Sequence, residues 1–314
     1  MTSTVRPFRR DDREQLTALV NAHVQAVVPG MSVSVHSVLS QLEHEPGEFL
    51  VDPWVVERMT LVGEQRGRVA AAAHLLRYGD DDAVGPDYRG AGEIRWLLCW
   101  PPAPYAPDTQ QAGEAVAGAA VAYLRRSGVR RLFADGALPA PGVFGVPSQW
   151  PHVREVLRGA GFVAPGRTEV VFLADVAALQ RVPPPLAGLG IERTLGVNGT
   201  RFSALRGGTR LGYVEVDLRL GDVGRTAGTD GWADVGNLWV EEAHRRGGVA
   251  TWLLGEAAQW LRLGHVDRLL DYSTPDEQGY TEFLRHAGFG ELTRTLRGWE
   301  HLPVGGVPSP HDRR

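Results

Sequence analysis

Residues 120–135, AVAYLRRSGVRRLFAD, align without a gap on residues 257–272, AAQWLRLGHVDRLLDY. Each segment reads as a helix ending in aromatic-Leu-Arg, a short turn, and Val-x-Arg-Leu leading into a strand. REVLRGAGF (154–162) then matches TEFLRHAGF (281–289) at Leu-Arg-x-Ala-Gly-Phe, in the same order and at similar spacing. Two ordered matches point to two tandem copies of one fold. The 314 residues have room for two domains of about 150 residues, each able to bury its own core.

Between the copies lies QRVPPPLAGLG (180–190), whose three consecutive prolines favour an extended, semi-rigid spacer. The expected organisation is a first copy over 1–180, a proline-rich linker over 181–190, a second copy over 191–303 and a disordered tail over 304–314. The first copy opens with a strand near Val5–Phe8 and a helix carrying Leu16, Leu19, Val20, Val24 and Val27 at helical spacing. A hairpin and the strand 94–100 follow, then helix, strand, helix and a strand ending at RTEVVFLADV. In the second copy IERTLG (191–196) passes almost directly into RFSAL and TRLGYVEVDLRL, so the helices after its first strand are lost or reduced. Strand 232–240, helix 248–263, strand RLLDY, helix 277–287 and a closing strand near LTRTLRGWEHL complete it. The fold class is α+β, each domain a mixed, mostly antiparallel sheet flanked by helices.

Composition removes several functions. A net charge of −4 and a pI near 6.2 argue against a nucleic-acid binder. No apolar run approaches the ~18–20 residues of a membrane span, and the N-terminus has no signal-peptide core. The single cysteine, Cys99, excludes an internal disulfide framework and fits a reducing compartment, so a cytoplasmic protein is expected. All 33 lysine-plus-arginine residues are arginine, which excludes a Schiff-base or P-loop lysine. The histidines form no metal-ligand spacing, and no metal is expected.

The feature that carries chemistry is HRRGGVATWLL (244–254). Leu238 and Val240 alternate as in a buried strand, and helical periodicity starts at Ala250, Leu254, Ala257 and Leu261. The glycine pair therefore sits at a helix N-terminus, whose first N–H groups lack internal partners and whose dipole is positive. Glycines let a ligand approach the main chain, and flanking arginines suit phosphate. This combination is a pyrophosphate cradle. A dinucleotide site is disfavoured, because the G-x-G-x-x-G spacing is absent.

Arg245-Arg246-Gly247-Gly248-Val249-Ala250 resembles the Q/R-x-x-G-x-G/A signature of the GNAT superfamily of acetyl-CoA-dependent N-acetyltransferases. The preceding strand, the following helix and the later Gly288-Phe289 stand in that family's order. The resemblance implies a tandem GNAT-like arrangement of the kind found in mycothiol synthase, with acetyl-CoA as acetyl donor. It implies strand contacts from Leu238, Trp239 and Val240, and phosphate contacts from Arg245, Arg246, Gly247, Gly248, Val249, Ala250 and Thr251. The acceptor would be a small-molecule or peptide amine, with a monomer or homodimer equally open. Gln110–Ala115 of the first copy formally fits the signature, but the gap-free alignment puts Gly113 opposite Ala250, two residues out of phase. Glu114 would also stand near a phosphate, so the first copy reads as degenerate.

Acetyl transfer needs a base for the amine and a proton for the leaving thiolate. At the positions where the family often carries a tyrosine, an asparagine and a strand glutamate, this chain has Leu284, Glu277 and Gly236. Tyr280, one helical turn before Leu284, becomes the candidate acid, with Tyr272 behind it. Asp234, on the same strand face as Gly236, and Glu241, at the strand's end, are the candidate bases, with Glu242 and His244 nearby. Cys99 reads as a buried small hydrophobe. The departures leave a non-catalytic coenzyme A-binding protein as the alternative.

Overall fold

The computed structural model describes residues 3–45, 51–102, 109–134, 142–164, 166–218 and 231–301; the tail expected over 304–314 lies outside them. Contacts divide the chain into two compact units, 1–168 with 295–314, and 169–294. Both are α+β with mostly antiparallel sheets, as the periodicity predicts. Among the described residues no helix is long and apolar enough to cross a membrane.

The first unit runs β1 (Thr4–Pro7), α1 (Arg13–Val27), α2 (Val35–Glu43), β2 (Val55–Gln65), β3 (Arg68–Tyr78), β4 (Gly92–Cys99), α3 (Thr109–Arg126), β5 (Leu132–Ala134), β6 (Val146–Pro147), α4 (Pro151–Gly159) and β7 (Phe162–Val163). Leu16, Leu19, Val20 and Val24 are fully buried, which is why α1 forms on the predicted periodicity. Next in the chain comes β8 (Thr168–Asp175). The second unit continues with β9 (Leu189–Gly196), β10 (Gly199–Arg206), β11 (Thr209–Asp217), β12 (Trp232–Val240), α5 (Val249–Leu263), β13 (Arg268–Ser273), α6 (Gln278–Ala287) and β14 (Gly290–Leu296), and β15 (Trp299–His301) closes the described chain. Between β9 and β10 there is only the turn Val197-Asn198, so this copy has no helix after its first strand.

The units exchange strands. The sequence assigns β8 to the first copy, yet it lies antiparallel to β13 over six residue pairs, from Arg268↔Asp175 to Ser273↔Val170. Its Val170, Phe172 and Ala174 belong to the second unit's core, and this burial holds the strand there. In return β15 lies between β5 and β7 in the first unit's sheet. The division at 168/169 and 294/295 therefore differs from the boundaries expected at 180 and 303.

The proline-rich segment is packed along α5 rather than free. Arg262 donates to the carbonyls of Val176 and Leu179, Arg181 pairs with Glu256 at 2.8 Å, and Val182 and Leu186 rest on the core. Gly255 allows the approach, because a Cβ there would lie 2.7 Å from the Gln180 carbonyl oxygen. Alanine in mid-helix normally gains ~1 kcal/mol over glycine. Here the clash is with backbone, and overpacking costs typically ~1–3 kcal/mol. Gly255→Ala is therefore expected to lower Tm, and a calorimetric scan showing a rise would contradict this packing.

Candidate active site

Strands β12 and β13 run parallel over only three residue pairs, Trp232↔Arg268, Ala233↔Leu269 and Asp234↔Leu270. Beyond them β12 continues to Val240 on β11, while β13 continues to Ser273 on β8. The strands part at Asp234, leaving main-chain groups of Val235–Val240 able to pair with an extended ligand. A bulge at Gly236 strengthens the bend, since Glu215 opposes Asn237 and Val216 opposes Val235. Gly236 is required there: a Cβ would stand 2.5 Å from that of Asn198, whose side-chain amide donates to the Gly236 carbonyl. This explains why no glutamate occupies the position. On β12 Leu238 packs on the core, Val240 is buried, and Trp239 is 39% exposed.

After β12 the Glu241 amide donates to the Leu211 carbonyl, and Glu242–His244 form one 3-10 turn. Arg245 turns back, its Nε donating to the Val240 carbonyl at 3.0 Å. That locks the loop to the strand end and occupies one of the two arginines expected to serve phosphate. Arg246 is exposed with φ 60°, a left-handed conformation costing a non-glycine residue ~1–2 kcal/mol. Strain of this kind marks sites held for a purpose. Gly248, at φ 82° and ψ 0°, caps α5 without any side-chain hydrogen bond. The first intrahelical bond runs from the Trp252 amide to the Gly248 carbonyl, so the amides of Val249, Ala250 and Thr251 precede the helical ladder. The exposed Gly247-Gly248 turn thus presents uncapped donors at the positive end of a fifteen-residue helix.

Buried polar side chains stand on both faces of the sheet where the strands part: Asp271 with Tyr280 on one, and Asp234, in register with Leu270, on the other. Asp271 is 3% exposed; its Oδ2 accepts the Tyr280 hydroxyl at 2.8 Å and its Oδ1 accepts the Tyr272 amide at 2.7 Å. Burial pushes the Asp271 carboxyl up to about 7, even against those two donors. Burial, then the charge of Asp271, drives the Tyr280 hydroxyl far above the usual phenol range. Asp234 keeps one oxygen buried without a hydrogen-bond partner, and burial followed by the nearby Asp217 raises it to about 7. Glu241 is a loop carboxylate, half open to solvent, with the His244 imidazole 3.9 Å away.

Tyr280 therefore meets Asp271, while Asp234, in register with Leu270, points to the other face of the sheet, and Glu241 lies beyond the end of β12. Asp271 was not anticipated, although an acid between Leu270 and Tyr272 in a buried strand is an available signal. The missing tyrosine and asparagine also have structural reasons. Leu284 is fully buried in the core, and Glu277 closes the turn before α6 by accepting the Thr274 amide at 2.9 Å.

The first unit builds the same parting of parallel strands. Strands β4 and β5 pair at Gly92↔Leu132 and Glu93↔Phe133 and then separate. Glu93, at the position matching Asp234, is buried against Arg95 and the Tyr78 hydroxyl. Trp96, Val146, Trp150, Val153 and Leu157 close around a cavity of only about 10 Å³. Helix α3 already begins at Thr109, so Gln110–Ala115 is helix and not a turn. Gly113 is there for packing, since a Cβ would lie 2.9 Å from the Cys99 sulfur. Cys99 is fully buried, and burial pushes its thiol up to about 12.

The second unit thus joins parted parallel strands to an open glycine turn at a helix N-terminus. Residues 178–289 match the profile of the Acetyltransferase (GNAT) family, so the chain carries a GNAT acetyltransferase domain over that span. Its fold is that of a tandem GNAT protein from the clavulanic acid biosynthesis pathway, with a TM-score of 0.62 at 16% identity over 98% of this chain and 100% of the other. A GCN5-related N-acetyltransferase from Sphaerobacter thermophilus is similar at a TM-score of 0.59 and 13% identity, covering 96% of both chains. No curated protein sequence matches the chain.

Proposed function

We propose that the second unit transfers an acetyl group from acetyl-CoA to a primary amine of a small molecule or peptide. The observation that carries this is the exposed left-handed turn at Gly248, which leaves the α5 amides uncapped directly after the parted strand β12. Val249, Ala250 and Thr251 would hold the pyrophosphate through their amides, with Arg246 beside them. Leu238, Trp239 and Val240 would pair with the pantetheine arm. Acetyl-CoA, when bound, supplies the activated thioester. Asp234 acts as the base for the amine and Tyr280 as the acid for the sulfur. Glu241, apart from this group, serves the loop.

A purely coenzyme A-binding protein would give no reason for a buried Asp234 oxygen without a hydrogen-bond partner, or for the buried Asp271–Tyr280 pair, beside the parting strands. The first unit, with its slot filled by side chains, acts as structural support. Calorimetric titration with acetyl-CoA is expected to give one site per chain. Two sites would assign a binding role to the first unit, and none would overturn the reading.

A further inference from the structure

We infer that the turn Val197-Asn198 latches the bulge of β12 in place, with Asn198 as the positioning residue for the peptide that meets the thioester. The inference rests on the acetyltransferase reading and adds Asn198 to it, with Glu215 as the residue that holds the turn.

The two units carry a bulge at the same place. In the first, His74 pairs with Trp96 and Leu75 with Ile94, so Arg95 is the extra residue of β4. In the second, Gly236 is the extra residue of β12. Each stands two residues after the acid that ends the parallel pairing, Glu93 in one and Asp234 in the other. Each is also held from the segment that joins its unit's first two strands. In the first unit that segment carries α1 and α2, and Glu45, just beyond α2, meets the Arg95 guanidinium at 2.9 Å. In the second it is only the turn, and the Asn198 side-chain amide donates to the Gly236 carbonyl at 3.3 Å.

The turn reaches β12 because it is folded over the sheet. Glu215 of β11 lies opposite Arg201 of β10 and shares its face. The buried Glu215 carboxylate accepts the Val197 amide at 3.3 Å, the Asn198 amide at 3.2 Å and the Arg201 Nε at 2.6 Å. A Cβ on Gly196 would strike that carboxylate, so glycine there lets the turn come down.

The two anchors differ in what they leave open. The Arg95–Glu45 pair is buried and occupies its bulge with side chains. Asn198 takes only a carbonyl and Gly236 stays exposed, so the main chain of this bulge is steadied yet open to a ligand. The pairing with β13 ends at Asp234↔Leu270 and gives Val235–Asn237 no support. A peptide is planar, so the bond to the Gly236 carbonyl also sets the direction of the Asn237 N–H. This peptide orients the thioester carbonyl, where a misplacement of ~1 Å can cost about 10²-fold in rate.

Acetyl-CoA carrying carbon-13 at the thioester carbonyl reads this without turnover. Its resonance is expected to move downfield on binding to wild-type protein, as a hydrogen-bonded carbonyl does. In Asn198→Asp and Asn198→Ala it should fall back towards the free position, and Asn198→Gln, which keeps an amide donor, should restore part of the displacement. Calorimetric affinity should be unchanged, because the glycine turn and the α5 amides are untouched. Asn198 is exposed, so these variants leave the core intact. A resonance indifferent to Asn198→Asp, or affinity lost together with the displacement, would overturn the positioning role. Amide hydrogen exchange at Gly236 and Asn237, read without ligand, should quicken in Asn198→Asp, and no change there would overturn the latch itself. If exchange quickens but wild-type protein binds no acetyl-CoA, the acetyltransferase reading fails and the latch stands without it.

Discussion

Gly248→Asp should reduce acetyl-CoA affinity by roughly 10²–10⁴-fold, on the basis of two charge-assisted amide–phosphate bonds worth ~1.5–3 kcal/mol each. The fold should survive. Gly248 sits at φ 82°, and the nearest atom to an added Cβ is the Pro185 Cβ at 3.4 Å, ordinary contact. Aspartate tolerates the left-handed region better than most residues, at a cost of ~1 kcal/mol, and its charge favours the helix N-terminus. The same carboxylate competes for the α5 amides and repels phosphate. Gly248→Asn, similar in size and neutral, separates the two causes and should lose much less affinity. Equal losses in the two variants would mean that bulk decides, and unchanged affinity in both would remove the turn from the binding site.

The glycine turn at the start of α5 was legible in the sequence because its physics is local. A strand, two glycines and an amphipathic helix fix a helix N-terminus within eleven residues, and nothing distant decides its geometry. The repeat was legible for a similar reason, since the helix–turn–strand segments at 120–135 and 257–272 each fold as a unit. What the sequence did not disclose depends on partners far along the chain. Strand β8 reads the same whichever sheet receives it; its six pairs with β13 arise from residues about a hundred positions later. Gly255 looks like a weak point in a helix until the Gln180 carbonyl is found above it. Arg245 reads as phosphate-binding because its spacing says nothing about the Val240 carbonyl that it caps. Asp271 was passed over because an acid in a short strand gains meaning only from the Tyr280 hydroxyl, which helix α6 brings back to it.

Asp234→Asn is expected to lower kcat by about 10²–10⁴-fold, the usual contribution of a positioned base. Affinity for acetyl-CoA should be unchanged, because the residue lies at the parting of the strands and not in the glycine turn. The same substitution should stabilise the protein, in a pH-dependent way whose sign follows from the shift. Asp234 is raised from an ordinary value of 3.8 to about 7 in the folded chain. Its contribution to stability is therefore fully present below pH 4 and lost as pH rises towards 7, where the folded state must carry a buried charge. At one pKa unit per 1.36 kcal/mol, removing that charge gains about 2–4 kcal/mol at pH 8. Tm of the variant should exceed that of the wild type at pH 8 and converge with it near pH 4. A variant that is inactive but no more stable at pH 8 would show that the Asp234 carboxyl is not raised in the folded chain. Retained activity would move the base elsewhere, with Glu241 the next residue to replace.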